Sequence, residues 1–85
     1  MQEDVTVYGT DWCHDTTHTR EYLDEIDVPY RYVNIEEDPN AAEWVRQQNG
    51  GKEQKPTVTI GEDVLSVPSD EELDAALEEH GLLTS

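Results

Sequence analysis

The tightest constraint on the fold is a strand, a helix and a second strand compressed into the first 35 residues. Val5-Thr6-Val7-Tyr8 alternates β-branched and aromatic residues and stops at Gly9, a pattern that predicts a strand. A helix is expected from His14 to about Ile26, with Tyr22, Leu23 and Ile26 at helical spacing. Val28-Pro29 ends it, because the residue before a proline is driven out of helical geometry. Tyr30 to Ile35 reads as the second strand. Two strands joined by a crossover helix run parallel, and the connection is right-handed. Parallel strands are covered on both faces, so helices must pack on either side of the sheet.

The rest of the chain supplies those helices. Pro39 opens one behind Glu36-Glu37-Asp38, in the first-turn position that proline tolerates. Ala41, Ala42, Trp44 and Val45 form its apolar face, and Asn49-Gly50-Gly51 stops it. Lys52 to Lys55 is a polar loop. Two short strands, Pro56–Ile60 and Val64–Ser66, flank Gly61-Glu62-Asp63, a predicted hairpin. Ser69 with Glu72 forms a capping box for a last helix that turns Leu73, Ala76 and Leu77 inward. That helix ends near Gly81, with His80 expected at its C-terminal carbonyls and Leu82 to Ser85 left as a tail. The order β-α-β-α-β-β-α predicts an α/β fold, a four-stranded mixed sheet with three helices. The 85 residues hold one domain, 1–85, with an ordered core of about 4–80.

Charge narrows the partners. Asp and Glu number 21 against 5 Lys and Arg, for a formal net charge of −16. Such a field repels nucleic acids and anionic membranes, so neither is expected as a partner. The acids interleave with clean apolar periodicity, which argues for a folded chain rather than disorder. They serve either as a solvated surface for a salty, halophilic cytoplasm or as a guide to a basic partner; their spread along the chain favours the first. Met1-Gln2-Glu3-Asp4 is neither basic nor apolar, and no apolar run approaches the roughly 18 residues of a membrane span. A soluble, cytoplasmic monomer is the expectation.

Cys13 is the chain's single cysteine, so no internal disulfide can form. A lone cysteine is by itself no more than a small apolar side chain. Its position says more. It ends the loop after the first strand, at the carboxyl edge where open α/β sheets place ligands, directly before a helix. Unpaired N–H groups at a helix start favour the thiolate, the reactive form. Asp11 and Asp15 oppose this, since a carboxylate disfavours a second anion nearby. His14 or the Thr16 hydroxyl can compensate by donating to the sulfur.

The chain resembles the glutaredoxin family, in particular short mycoredoxin-like members of the thioredoxin fold. The resemblance rests on Tyr8-Gly9-Thr10-Asp11-Trp12-Cys13, Tyr22-Leu23-Asp24-Glu25 with Val28-Pro29-Tyr30, and Ile35-Glu36-Glu37-Asp38-Pro39. It continues through Asn49-Gly50-Gly51, Lys55-Pro56-Thr57-Val58 and Pro68-Ser69. It implies that Cys13 attacks disulfides, that Pro56 is cis and faces it, and that the Lys55 backbone pairs with the thiol substrate. Ser69 and Asp70 then stand where the family holds a small thiol such as glutathione, and Trp12 shapes the substrate groove. Lys55, if turned into the site, can stabilise the thiolate or meet a substrate carboxylate.

One departure matters. Thr16 occupies the place of the second cysteine in a C-x-x-C motif, leaving Cys13-His14-Asp15-Thr16. Turnover must then run through a mixed disulfide at Cys13 with a small thiol or a disulfide-bearing protein, without a required cofactor. The alternatives are an iron–sulfur or metal carrier using Cys13, and a redox-silent interaction domain. Single-cysteine members that carry clusters have Cys-Gly-Phe-Ser, which His14-Asp15-Thr16 does not match. For a metal, Cys13 with His14 and His18, four residues apart on one helix face, is the candidate set.

Overall fold

The computed structural model describes residues 4–83; the opening residues 1–3 and the end of the expected tail, 84–85, lie outside the described residues. The elements come in the expected order: β1 (Val5–Gly9), α1 (His14–Glu25), β2 (Arg31–Asn34), α2 (Pro39–Gln48), β3 (Thr57–Ile60), β4 (Asp63–Ser66) and α3 (Asp70–Glu79). The sheet order is β2-β1-β3-β4. β1 pairs parallel with β2 and antiparallel with β3, and β4 runs antiparallel to β3.

The alternation in β1 decides which helix covers which face. Val5 and Val7 pack with Val58 and Ile60 of β3, Leu23 of α1, and Leu73, Ala76 and Leu77 of α3. Tyr8, pointing the other way, packs on Ile35, Ala42 and Val45 beside α2. Hence α1 and α3 share one face of the sheet and α2 has the other. Leu23, Leu73 and Leu77 are fully buried, each stabilising the fold by about 1.5–3 kcal/mol. Trp44 stacks on Tyr8 with ring centroids 5.0 Å apart, at the edge of the smaller cluster.

The helix starts follow their capping chemistry. Asp38 accepts from the Ala41 N–H before α2, and the Ser69–Glu72 capping box forms reciprocally before α3. Cys13 is the N-cap of α1, and its side chain makes no capping hydrogen bond of ordinary geometry, so the helix-start N–H groups stand open toward the sulfur. Boundaries move by a residue or so. β4 begins at Asp63, leaving a two-residue turn in which Gly61 takes φ 59°. The His80 expectation is corrected in part. Its backbone N–H meets the Ala76 carbonyl, while its ring reaches the Asp63 carboxylate at 2.8 Å, a stronger acceptor than a helix carbonyl. Among the described residues no helix is long and apolar enough to cross a membrane.

Register also builds the site. Tyr8 pairs with Thr57, so the end of β1 and the start of antiparallel β3 lie at the same edge of the sheet. The Thr10–Cys13 loop leaves that edge, and the Lys55–Pro56 segment arrives at it.

Candidate active site

Cys13 is half-buried with extended backbone, φ −81° and ψ 121°. Its N–H bonds the Thr10 carbonyl at 3.3 Å, and its own carbonyl accepts the Thr17 N–H at 3.0 Å. The thiol is turned toward Lys55, with Sγ 3.8 Å from the carbonyl oxygen. The Lys55–Pro56 bond is cis and Pro56 is buried.

The acidity of this thiol is a balance of opposing effects. Burial pushes its pKa up and is the largest single influence. It is outweighed by the Thr16 hydroxyl and by the Thr16 and Asp15 N–H groups, so the thiol lies below the usual range. The Asp15 carboxylate raises it, but least of these. Among the described residues the hydroxyl has no hydrogen-bond partner of ordinary geometry, although Thr16 is fully buried. A thiolate is the acceptor it lacks, and its contact with sulfur is therefore one that ionisation strengthens. Asp11 is drawn off: it accepts the Tyr32 hydroxyl at 2.7 Å, and Arg20 sits over the Tyr32 ring at 3.8 Å.

The Thr16 side chain is held against Gly9. A Cβ at Gly9 would lie 2.3 Å from Thr16 Oγ1 and 2.5 Å from Cγ2. Only glycine allows that approach.

Lys55 bends back toward the cysteine loop. Its ammonium sits 4.9 Å from the Trp12 ring centroid and 3.6 Å from a Glu53 oxygen. Glu53 is held in turn by Arg46 of α2 at 2.9 Å. The loop carrying Lys55 is braced from behind. Thr57 Oγ1 donates to the Gln54 carbonyl at 2.8 Å, Asn49 donates to Thr57 at 3.2 Å, and Ser66 donates to Asn49. Val67, at φ 44°, gives its N–H to the Pro56 carbonyl at 2.8 Å. A β-branched residue in the left-handed region is strained, and no sequence signal marks it.

Of the residues singled out in the sequence, Trp12, Cys13, Thr16, Lys55 and Pro56 come together here. Ser69 and Asp70 are engaged within the fold. Ser69 Oγ accepts the Glu72 N–H at 3.1 Å, and Asp70 meets the His18 ring at 2.9 Å. His18 lines a groove of about 390 Å³ with Asp11, Trp12, His14, Thr17 and Glu21. The metal set is not assembled: among the described residues no three His, Cys, Asp or Glu side chains are grouped to hold an ion, and His18 is spent on Asp70. The sequence reading missed Glu53, Arg46 and Asn49. For Glu53 a signal existed, its opposite charge two residues from Lys55.

A single acidified thiol at a helix start, facing the carbonyl before a cis proline, defines a thiol redox domain of the thioredoxin-like class. Within it the chain belongs to the glutaredoxin family, whose model matches residues 5–65. It is similar to Mycoredoxin 1 of Corynebacterium glutamicum, 38% identical over 55 residues, which cover 64% of this chain and 66% of the relative. A candidate glutaredoxin of Mycobacterium tuberculosis is 35% identical over 74 residues, 86% of this chain and 88% of that one. Two solved structures share the fold at 24% identity. The glutaredoxin-like NrdH-redoxin of Escherichia coli matches with a TM-score of 0.71, over 82% of this chain and 91% of its own. A glutaredoxin from Archaeoglobus fulgidus gives 0.75, over 86% and 84%.

Proposed function

We propose that this glutaredoxin is a thiol–disulfide oxidoreductase working through one cysteine. The observation that carries the reading is the acidified Cys13 thiol against the Lys55 carbonyl, in a chain with no second cysteine. The thiolate attacks a disulfide; a Cys13–sulfur bond forms as the substrate's S–S bond breaks, and the released thiolate takes a proton from solvent. A second, external thiol then resolves the mixed disulfide. A small thiol of the glutathione or mycothiol kind fills that role, with no prosthetic group. In this reading the Lys55 backbone and Pro56 clamp the substrate, Trp12 flanks it, and Ser69 and Asp70, at the start of α3, serve as the small-thiol site. The working unit is a cytoplasmic monomer.

The test is mass spectrometry after exposing the reduced protein to a small disulfide. One adduct per chain at Cys13, removed by added thiol, is expected. A chain that forms no adduct, or that is isolated without air bearing a cluster absorption band, sinks the reading in favour of an interaction domain or a carrier.

The acidic surface we assign to salt adaptation. The screening length falls from about 10 Å at 0.1 M salt to about 3 Å at 1 M, against a radius of gyration of 12.1 Å. At 0.1 M an acid therefore feels its neighbours out to nearly one molecular radius, whereas at 1 M only charges in near contact repel. The melting temperature is expected to climb by several degrees between those conditions, roughly 4–8 °C for each kcal/mol relieved. A flat profile in differential scanning calorimetry removes the adaptation.

A further inference from the structure

Among the described residues, Lys55 is the basic side chain whose charge lies over Trp12, next to the nucleophile. Of the others, Arg20 lies over Tyr32, and Arg46 is bound to Glu43 and Glu53. A substrate carboxylate approaching Cys13 would naturally turn to the Lys55 ammonium. That ammonium is already occupied: Glu53 stands 3.6 Å from it on one side and the Trp12 ring 4.9 Å on the other. Nor is Glu53 free to swing away. Arg46 grips its other oxygen at 2.9 Å from α2, and Arg46 is itself fixed by Glu43 at 2.9 Å. The line Glu43–Arg46–Glu53–Lys55–Trp12 thus runs from α2 to the residue before the nucleophile.

We infer that Glu53 is a specificity-determining residue, an internal carboxylate that occupies Lys55 and sets the site against anionic disulfides. The inference rests on the proposed oxidoreductase reading and adds a substrate class: neutral or cationic disulfides react in preference to those carrying a carboxylate near the sulfur. The physics is competition for one cation. A substrate carboxylate must displace Glu53 from Lys55 or lie beside it as an unpaired like charge. An uncharged or aminated substrate meets neither obstacle.

Three disulfides of matched skeleton isolate the effect: bis(2-aminoethyl), bis(2-hydroxyethyl) and bis(2-carboxyethyl) disulfide. Rates of their reaction with reduced Cys13 are measured by stopped flow at neutral pH and fixed salt. The wild-type order is expected to be amino, hydroxy, carboxy. Glu53→Gln should raise the carboxy-to-hydroxy rate ratio about 2–5-fold, the scale of one part-exposed ion pair. Lys55→Met on top of Glu53→Gln should erase that gain. Glu62→Gln is the control for net charge, since Glu62 lies exposed in the β3–β4 turn, at the opposite end of the sheet from Cys13. It should leave the ratio where it was. An unmoved ratio in Glu53→Gln, or an equal shift in Glu62→Gln, overturns the assignment while leaving the oxidoreductase intact. A wild-type chain inert to all three disulfides overturns both.

Discussion

Cys13→Ser is expected to lower the rate of exchange with bis(2-hydroxyethyl) disulfide by about 10³-fold or more. A serine hydroxyl is essentially un-ionised at neutral pH, whereas the Cys13 thiol ionises below the usual thiol range. The wild-type rate should rise with pH as the thiolate forms and level off before an ordinary thiol would. Stability carries the same signature. The folded pKa is depressed, so in the window between it and the unfolded value of about 8.5 the unfolded chain binds more protons. Stability therefore increases with pH across that window, is fully present above the unfolded value, and is lost as pH falls through the folded one. The serine variant should fold and lack both dependences. If it keeps even a tenth of the exchange rate, the chemistry lies elsewhere.

How much of this is written in the sequence depends on the range of the interaction that decides it. The strands, helices and caps rest on local rules, and Val5–Gly9, Pro39 and the Ser69–Glu72 box follow them closely. The place of Cys13 follows from the same order, since a loop after the first strand of a parallel pair ends at the sheet's carboxyl edge. The balance of charge around the thiol does not. Asp11 and Asp15 look alike in the sequence, both two residues from the sulfur. Folding draws Asp11 to Tyr32, across 21 positions, and leaves Asp15 as a minor opposing charge. Lys55 is similar: which partner holds it depends on where Arg46 puts Glu53, and that is a matter of α2 packing. The two histidines at helical spacing suggested a metal, but Asp70, 52 residues beyond His18, takes one of them. Each of these outcomes turns on a contact between elements that no short window of sequence contains.

Gly9 is the point where fold and reactivity meet. Its φ is not in the left-handed region, so the backbone itself accepts alanine there. The obstacle is Thr16, whose Oγ1, Cγ2 and Cβ would stand 2.3, 2.5 and 3.0 Å from the new methyl group. Thr16 is fully buried and has no open side to move into. Gly9→Ala is therefore expected to destabilise the fold by about 1–3 kcal/mol, the usual range for overpacking, lowering the melting temperature by roughly 4–8 °C per kcal/mol. The displaced threonine also takes its hydroxyl from the sulfur, so the thiol pKa should move up, read from the pH dependence of alkylation. A second substitution separates the steric cause from a general loss of order. Thr16→Ser removes Cγ2 and lets the hydroxyl rotate, so Gly9→Ala with Thr16→Ser should recover part of the lost stability, a favourable coupling in a double-mutant cycle. If Gly9→Ala melts with the wild type, or if the two changes are simply additive, Thr16 is not packed on Gly9; if the alkylation profile of Gly9→Ala does not move, the Thr16 hydroxyl is not what lowers the thiol.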